Sequence, residues 1–316
     1  VRSSEAAVAA GPQQKRKEST LSKIKKNYVL YLFLLPAIVY LTIFNYVPMY
    51  GIQIAFKNYN SFDGINGSPW VGMLQFSRFF SSYNCVNLIC NTLFLSLYLL
   101  VATFPLPILL ALVLNYATLD KLKKVTQTVT YAPHFISTVV MVGMILVFFS
   151  SNGVVNQFIK FAGLPTTDIL GTPGTFRNLY VWTDVWQHTG WNCIIYIAAL
   201  AGVNPELHEA AIVDGANKMQ RIWNIDIPTL MPTAIILLIL QTGNLMNVGF
   251  EKAYLMQNGV NISSSEIIST YVYKIGILGA QFSYSTAIGL FNNVINFILL
   301  LTVNKVASRT SETSLW

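Results

Sequence analysis

Asn204-Pro-Glu-Leu-His-Glu-Ala-Ala-Ile-Val-Asp-Gly215-Ala-Asn-Lys-Met-Gln-Arg-Ile-Trp-Asn-Ile-Asp-Ile-Pro228 is a polar stretch set between two long apolar runs. Asn204 is a good N-cap, and Pro205 suits the first helical position, where its missing N–H costs nothing. Glu206 and Glu209 fall in the first turns, where the helix dipole favours acids. Gly215 can adopt a positive φ and end the helix. The spacing therefore predicts a short helix over 205–214, a tight turn, and a second helical piece reaching Ile227-Pro228. Small Ala210 and Ala211, flanked by Leu207 and Val213, leave a compact knob that suits a partner's groove. A solvated loop with one helical turn fits the same residues.

The surroundings of this stretch decide the solvent. A spanning helix needs about 20 mostly apolar residues. Six runs meet that length: 28–47, 92–114, 129–149, 180–203, 230–248 and 286–303. The fourth is mixed, with Asp184 and His188 in its first half. Of the 316 residues, 53% are hydrophobic and 10% charged, against roughly 25% charged in an ordinary globular protein. The expectation is an all-α polytopic membrane protein with six transmembrane helices.

Basic residues set the orientation. With the N-terminus inside, the N-terminal tail, the 115–128 and 204–229 loops and the C-terminal tail hold 14 of the 20 Lys and Arg. The outer segments hold Lys57, Arg78, Lys160, Arg177, Lys252 and Lys274. That asymmetry places both termini in the cytoplasm. The chain divides into a basic arm (1–27), a transmembrane domain (28–307) and a short tail (308–316). The polar stretch before residue 28 is long for a signal-peptide n-region, so the first run reads as an uncleaved helix. The outer segments carry turn formers at Asn66-Gly67, Ser68-Pro69 and Thr172-Pro173-Gly174 and are expected to fold back as a cap. Pro36, Pro105 and Pro107 should kink or unwind their helices.

At this point the sequence resembles a known family. Glu209-Ala210-Ala211, three residues, Gly215, nine residues, Ile225, one residue and Ile227-Pro228 match the EAA signature. That signature marks the membrane permeases of binding-protein-dependent ABC importers. The family pattern ends in Leu-Pro, and Ile-Pro here is a mild departure. Leu35-Pro36-Ala37, Pro48-Met49-Tyr50-Gly51 and Gly67-Ser68-Pro69-Trp70-Val71-Gly72 look like the LplB-type polysaccharide importers, which are MalF-like. They look especially like the larger permease of alginate-oligosaccharide importers. The resemblance implies the type I ABC importer permease fold in the bacterial inner membrane, bedded in lipid. It implies a heterodimer with a second homologous permease, two ABC ATPase subunits, an extracytoplasmic solute-binding protein and an oligosaccharide substrate. ATP and Mg belong to the ATPase partners, and this chain binds no cofactor. Glu209, Ala210, Ala211, Gly215, Ile225 and Pro228 are then the ATPase-coupling residues.

The solute pathway is read from the fourth to sixth runs. Trp182-Thr-Asp184-Val-Trp186-Gln187-His188-Thr189-Gly190-Trp191-Asn192 sets three indoles among polar groups. Sugar rings stack their C–H faces on aromatics, and their hydroxyls need amides and carboxylates. An ionisable residue within a span is a functional candidate. The candidates are Asp184, Trp186, His188, Trp191, Asn192, Gln241, Asn244, Asn247 and Asn292. Asn244 and Asn247, three apart, are expected on one helical face. Two other roles fit these residues: interfacial anchoring for the indoles and interhelical hydrogen bonding for the amides. In the related maltose permeases sugar contacts flank the EAA loop, which favours His188, Trp191, Asn244 and Asn247.

Other classes fit less well. No GxxxxGK[ST], HExxH or GxSxG occurs, so no phosphate loop or hydrolase motif is available and no catalytic residue is assigned. Cys85, Cys90 and Cys193 with His134, His188 and His208 lack metal-site spacing, and His208 is expected to be exposed. No nucleic-acid-binding module accompanies the positive charge. A self-contained ion-coupled carrier would need inverted repeats and midplane charge pairs, which the sequence does not show. A membrane-embedded sugar-transferring enzyme would need clustered carboxylates or a metal site.

Overall fold

A computed structural model describes residues 26–166, 168–310 and 314–315. The basic arm expected over 1–27 lies outside the described residues except for Lys26 and Asn27. Among the described residues the chain is helical, and its one β feature is an isolated antiparallel bridge between Lys57 and Trp70. Two compact units are present, Val1–Gln53 and Ile54–Trp316.

The helix α1 begins in the first unit and runs over Tyr28–Phe56. It is α-helical to Leu41, turns π over Thr42–Tyr46, and tightens to a 3-10 helix over Tyr50–Phe56. The π turn closes with the Val47 N–H donating to the Thr42 carbonyl. It ends two residues before Pro48, whose missing N–H and bulky ring disfavour regular α geometry. The same arrangement recurs before Pro228, where the π turn Ile222–Asp226 closes from the Ile227 N–H to the Ile222 carbonyl.

In the second unit α2 covers Cys85–Tyr116, α3 Asp120–Phe135 and α4 Thr138–Phe148. Then come α5, Pro173–Ala201; α6, Pro205–Val213; α7, Lys218–Gly243; and α8, Phe282–Thr310. Among the described residues four helices are long and apolar enough to cross a membrane: α1, α2, α7 and α8. The bent pair α3–α4 makes a fifth if counted as one span. At 29 residues α5 is long enough, but its polar half keeps it outside that set. Apolar side chains such as Phe33, Val113 and Phe297 are exposed along these helices, a surface suited to lipid rather than water.

The span expected over 129–149 is not one unbroken helix. Its place is taken by α3 and α4, which meet at 101°. Pro133 draws residues 132–135 into a 3-10 turn, Ile136 is extended, and Ser137 restarts the helix by accepting the Val140 N–H at 3.4 Å. The fifth span ends at Gly243 instead of Val248.

The central element is α5. It packs on both halves of α2 and on α3 and α7, while α7 packs on α8. One core cluster joins Leu95, Met141, Ile145, Phe176, Tyr180 and Val181 near its start, and another joins Ala111, Leu114, Tyr196, Leu200 and Leu230 near its end. Gly190 permits the crossing with α3, since a Cβ there would collide with the Thr130 carbonyl. The segments before and after α5 meet at its N-terminal end: the Asn258 and Asn261 amides both donate to the Leu170 carbonyl, at 3.2 and 3.0 Å. The Asn204–Pro228 stretch follows its opposite end, about 43 Å away along the helix axis.

Candidate functional site

Asp184, His188 and Asn192 lie four residues apart in succession, so they share one face of α5. That face closes a cavity of about 490 Å³ with Ser96 and Thr103 of α2, Gln241 of α7, and Asn244 and Asn247 beyond it. The two asparagines do not share a helical face. Gly243 approaches α8 so closely that a Cβ would sit 2.8 Å from Leu300 Cδ1, and α7 stops there with Asn244 as its C-cap. The following turn is held by α8. The Asn296 side-chain oxygen accepts the Met246 N–H at 2.8 Å, and the Asn292 amide donates to Asn247 Oδ1 at 2.9 Å. Asn292 is buried and orients Asn247 from outside this cavity.

Trp191 faces a neighbouring cavity, also about 490 Å³, which shares Thr103, Asn192, Leu237 and Gln241 with the first. Its indole stacks flat on His134, with centroids 4.5 Å apart and planes 2° from parallel, and Phe135 meets it edge-on at 5.5 Å. The His134 ring lies 5.6 Å from that of His188. The bend that interrupts α3–α4 therefore buttresses Trp191. Trp186 is not brought to it. Two residues past Asp184 it points away, and with Trp182 lines an apolar cavity of about 610 Å³ beside Met141 and Phe148.

The sequence reading missed Lys252. Counted among the outer basic residues, it is buried, with Nζ 3.3 Å from Asp184 Oδ1 and donating to the Tyr180 carbonyl at 3.0 Å. Burial pushes its ammonium below the usual lysine range, and the Asp184 carboxylate pulls it back up. His188 Nδ1 lies 3.4 Å from the other oxygen of Asp184. A buried charge pair is thus present where the sequence had shown none. The available signal was local: Lys252, Ala253 and Met256 form one buried face of the short helix Phe250–Met256.

The polar loop folds as its residues dictate. Asn204 Oδ1 accepts the Glu206 N–H at 3.1 Å and caps α6. The helix ends in a Schellman turn: Ala216 N–H donates to the Ala211 carbonyl at 2.8 Å and Gly215 N–H to the Ile212 carbonyl at 3.0 Å, with Gly215 at φ 80°. Asn217 and Gln220 then exchange side-chain and backbone bonds in a capping box. Glu209 and Ala210 are exposed, Ala211 and Ile225 half-buried, and Pro228 exposed. Exposed Leu207, Ile212, Val213, Met219 and Trp223 give the loop an apolar surface. His208, expected in solvent, is half-buried against Asp226. Among the described residues no group of three or more His, Cys, Asp or Glu is arranged to hold a metal ion.

Known proteins share this architecture. The family described as binding-protein-dependent transport system inner membrane component matches residues 103–312. The polygalacturonan/rhamnogalacturonan transport system permease protein YteP of Bacillus subtilis (strain 168) is 41% identical over 305 residues, covering 96% of this chain and 95% of YteP. Protein LplB of the same organism is 40% identical over 299 residues, covering 94% of each chain. A chain in the crystal structure of a bacterial alginate ABC transporter, in complex with an alginate pentasaccharide-bound periplasmic protein, superimposes with a TM-score of 0.87. That chain is 38% identical, and the match covers 94% of this chain and 100% of that one. The helical architecture, the EAA loop and these matches agree: the chain belongs to the inner membrane components of binding-protein-dependent transport systems, as a permease subunit that is not itself an enzyme.

Proposed function

We propose that this permease forms half of the translocation path of an ATP-driven ABC importer for acidic oligosaccharides, with alginate oligosaccharides as its substrate. Six spans, counting α5 and the bent α3–α4 pair, set both termini and α6 in the cytoplasm of the bacterium. A second, homologous permease supplies the other half of the path. Two ABC ATPases hold ATP and Mg, and a solute-binding protein delivers sugar from outside. Glu209, Ala210, Ala211, Gly215, Ile225 and Pro228 form the docking knob and its frame. Asp184, His188, Trp191, Asn192, Gln241, Asn244 and Asn247 face the solute.

The observation that carries this reading is the continuity of α5. One helix bears Asp184, His188 and Asn192 on a cavity-facing stripe and leads, through Gly202 and Val203, into the exposed knob α6. Movement of the knob is then movement of the cavity wall. The acidic substrate is supported by charge: Lys252 neutralises Asp184, so a polyuronate entering the cavity meets no uncompensated carboxylate. The names borne by YteP and the alginate transporter point to the same solute chemistry. ATP hydrolysis by the complete complex in proteoliposomes tests the reading. Binding protein with alginate pentasaccharide should stimulate hydrolysis, and maltopentaose should not. Equal stimulation by both would remove the acidic-substrate assignment.

A further inference from the structure

Asp226 sits between Ile225 and Ile227 at the head of an apolar helix, yet its side chain is 0% exposed. A carboxylate buried there is costly unless it is partnered. Its partners come from two other elements. Tyr116, the last residue of α2, donates its hydroxyl to Asp226 Oδ2 at 2.6 Å. His208, on α6, brings Nε2 to 3.3 Å from Oδ1. That second contact is close but not an aligned hydrogen bond. The Arg221 guanidinium stacks over the Tyr116 ring at 5.6 Å. The π turn Ile222–Asp226, one residue wider than an α turn, ends at this aspartate, and such turns recur at functional positions.

We infer that His208, Asp226 and Tyr116 form the joint through which displacement of α6 is delivered to α2 and α7, making them positioning residues for coupling. This rests on the proposed docking of α6 to an ATPase. The mechanical need is visible in the fold. No residue of α6 is buried, and both its ends are turns, at Gly202–Val203 and at Asp214–Ala216. Attached through turns alone, α6 would pull on α5 along the chain but stay free to rotate against α2 and α7. Asp226 fastens its middle to the ends of two long helices at once. The role needs polar contacts and not mere packing, a directional hydrogen bond to Tyr116 and a close electrostatic contact to His208, which explains why an acid occupies an otherwise apolar position.

The test uses the complete complex in proteoliposomes, with binding protein loaded with alginate pentasaccharide, and reads sugar imported per ATP hydrolysed. Tyr116→Phe, which removes one hydroxyl, should lower that ratio about fivefold, matching the loss of one net hydrogen bond, and His208→Ala should lower it at least about twofold. The double variant should lose no more than the worse single one, as expected for contacts in series. His208→Gln, which keeps a donor, should recover most of the ratio. ATPase subunits should co-purify with all of these variants in the wild-type proportion. A wild-type ratio in both His208→Ala and Tyr116→Phe would overturn the joint, as would loss of the ATPases from His208→Ala, which would make His208 a docking residue. Glu209→Lys separates the two claims: full ATPase co-purification and import in that variant would overturn docking by α6 and leave the joint's own readouts independent of it.

Discussion

The polar cavity owes its chemistry to one ion pair. Asp184 is held between Lys252 and His188, and Lys252 also reaches the Tyr180 carbonyl. Removing one member of a buried pair leaves an uncompensated charge and typically costs about 3–5 kcal/mol, whereas replacing both with apolar groups is often neutral. Lys252→Met should therefore lower the midpoint of thermal unfolding in detergent sharply, and Lys252→Met with Asp184→Leu should restore much of it. Independent, additive losses would show that the pair is not coupled. The aromatic wall gives a second test. Trp191→Ala loses the stack on His134 and should lower stimulation by loaded binding protein about twofold to tenfold, the equivalent of a 0.5–1.5 kcal/mol aromatic contact. Trp186→Ala, facing the apolar cavity, should leave stimulation unchanged, and the reverse pattern would exchange their roles. Asp184 was legible in the sequence because a charge inside a span stands out. Its partner was not, since Lys252 lies 68 residues away and reads as one more outer cation.

At the scale of elements, local chemistry that acts within a few residues was readable and long-range contact was not. Asn204, Pro205 and Gly215 specify α6 through capping and a positive φ, and the helix lies within a residue of where they place it. Gly215→Pro removes the N–H donated to Ile212 and forbids φ 80°, a conflict worth more than about 1 kcal/mol locally. It should abolish binding-protein-stimulated ATP hydrolysis in the reconstituted complex, and Gly215→Ala should weaken it less. Wild-type stimulation in the proline variant would show that the turn does not orient the knob. The bend between α3 and α4 was hidden because apolar character continues across 129–149. Pro133 and Ser137 break the backbone while the lipid-facing composition stays the same. The early end of α7 was hidden for a different reason: Asn292 and Asn296 of α8 capture the 244–248 turn from across the bundle.

At the scale of the molecule, the proposed function makes the second unit a lever. Cavity residues occupy the middle of α5, the exposed knob follows its end, and Asp226 ties that knob to the helices flanking it. The distribution of Lys and Arg predicts that α6 faces the cytosol. In a background with exposed Cys90 replaced by Ser, a cysteine at Val260 should react with impermeant maleimide from outside, and one at Glu206 only after the membrane is opened. The opposite sidedness would invert the topology. Charge alone supplies the expected orientation, while the roles of individual polar helix residues depended on which helix each one faces. The most direct measurement is crosslinking from Val213, which is 88% exposed at the tip of the knob. Val213→Cys in the intact complex, treated with a short bifunctional maleimide, should yield an adduct with an ATPase subunit whose amount changes when ATP is added. A cysteine that forms no such adduct and is labelled from the outer face would contradict the account.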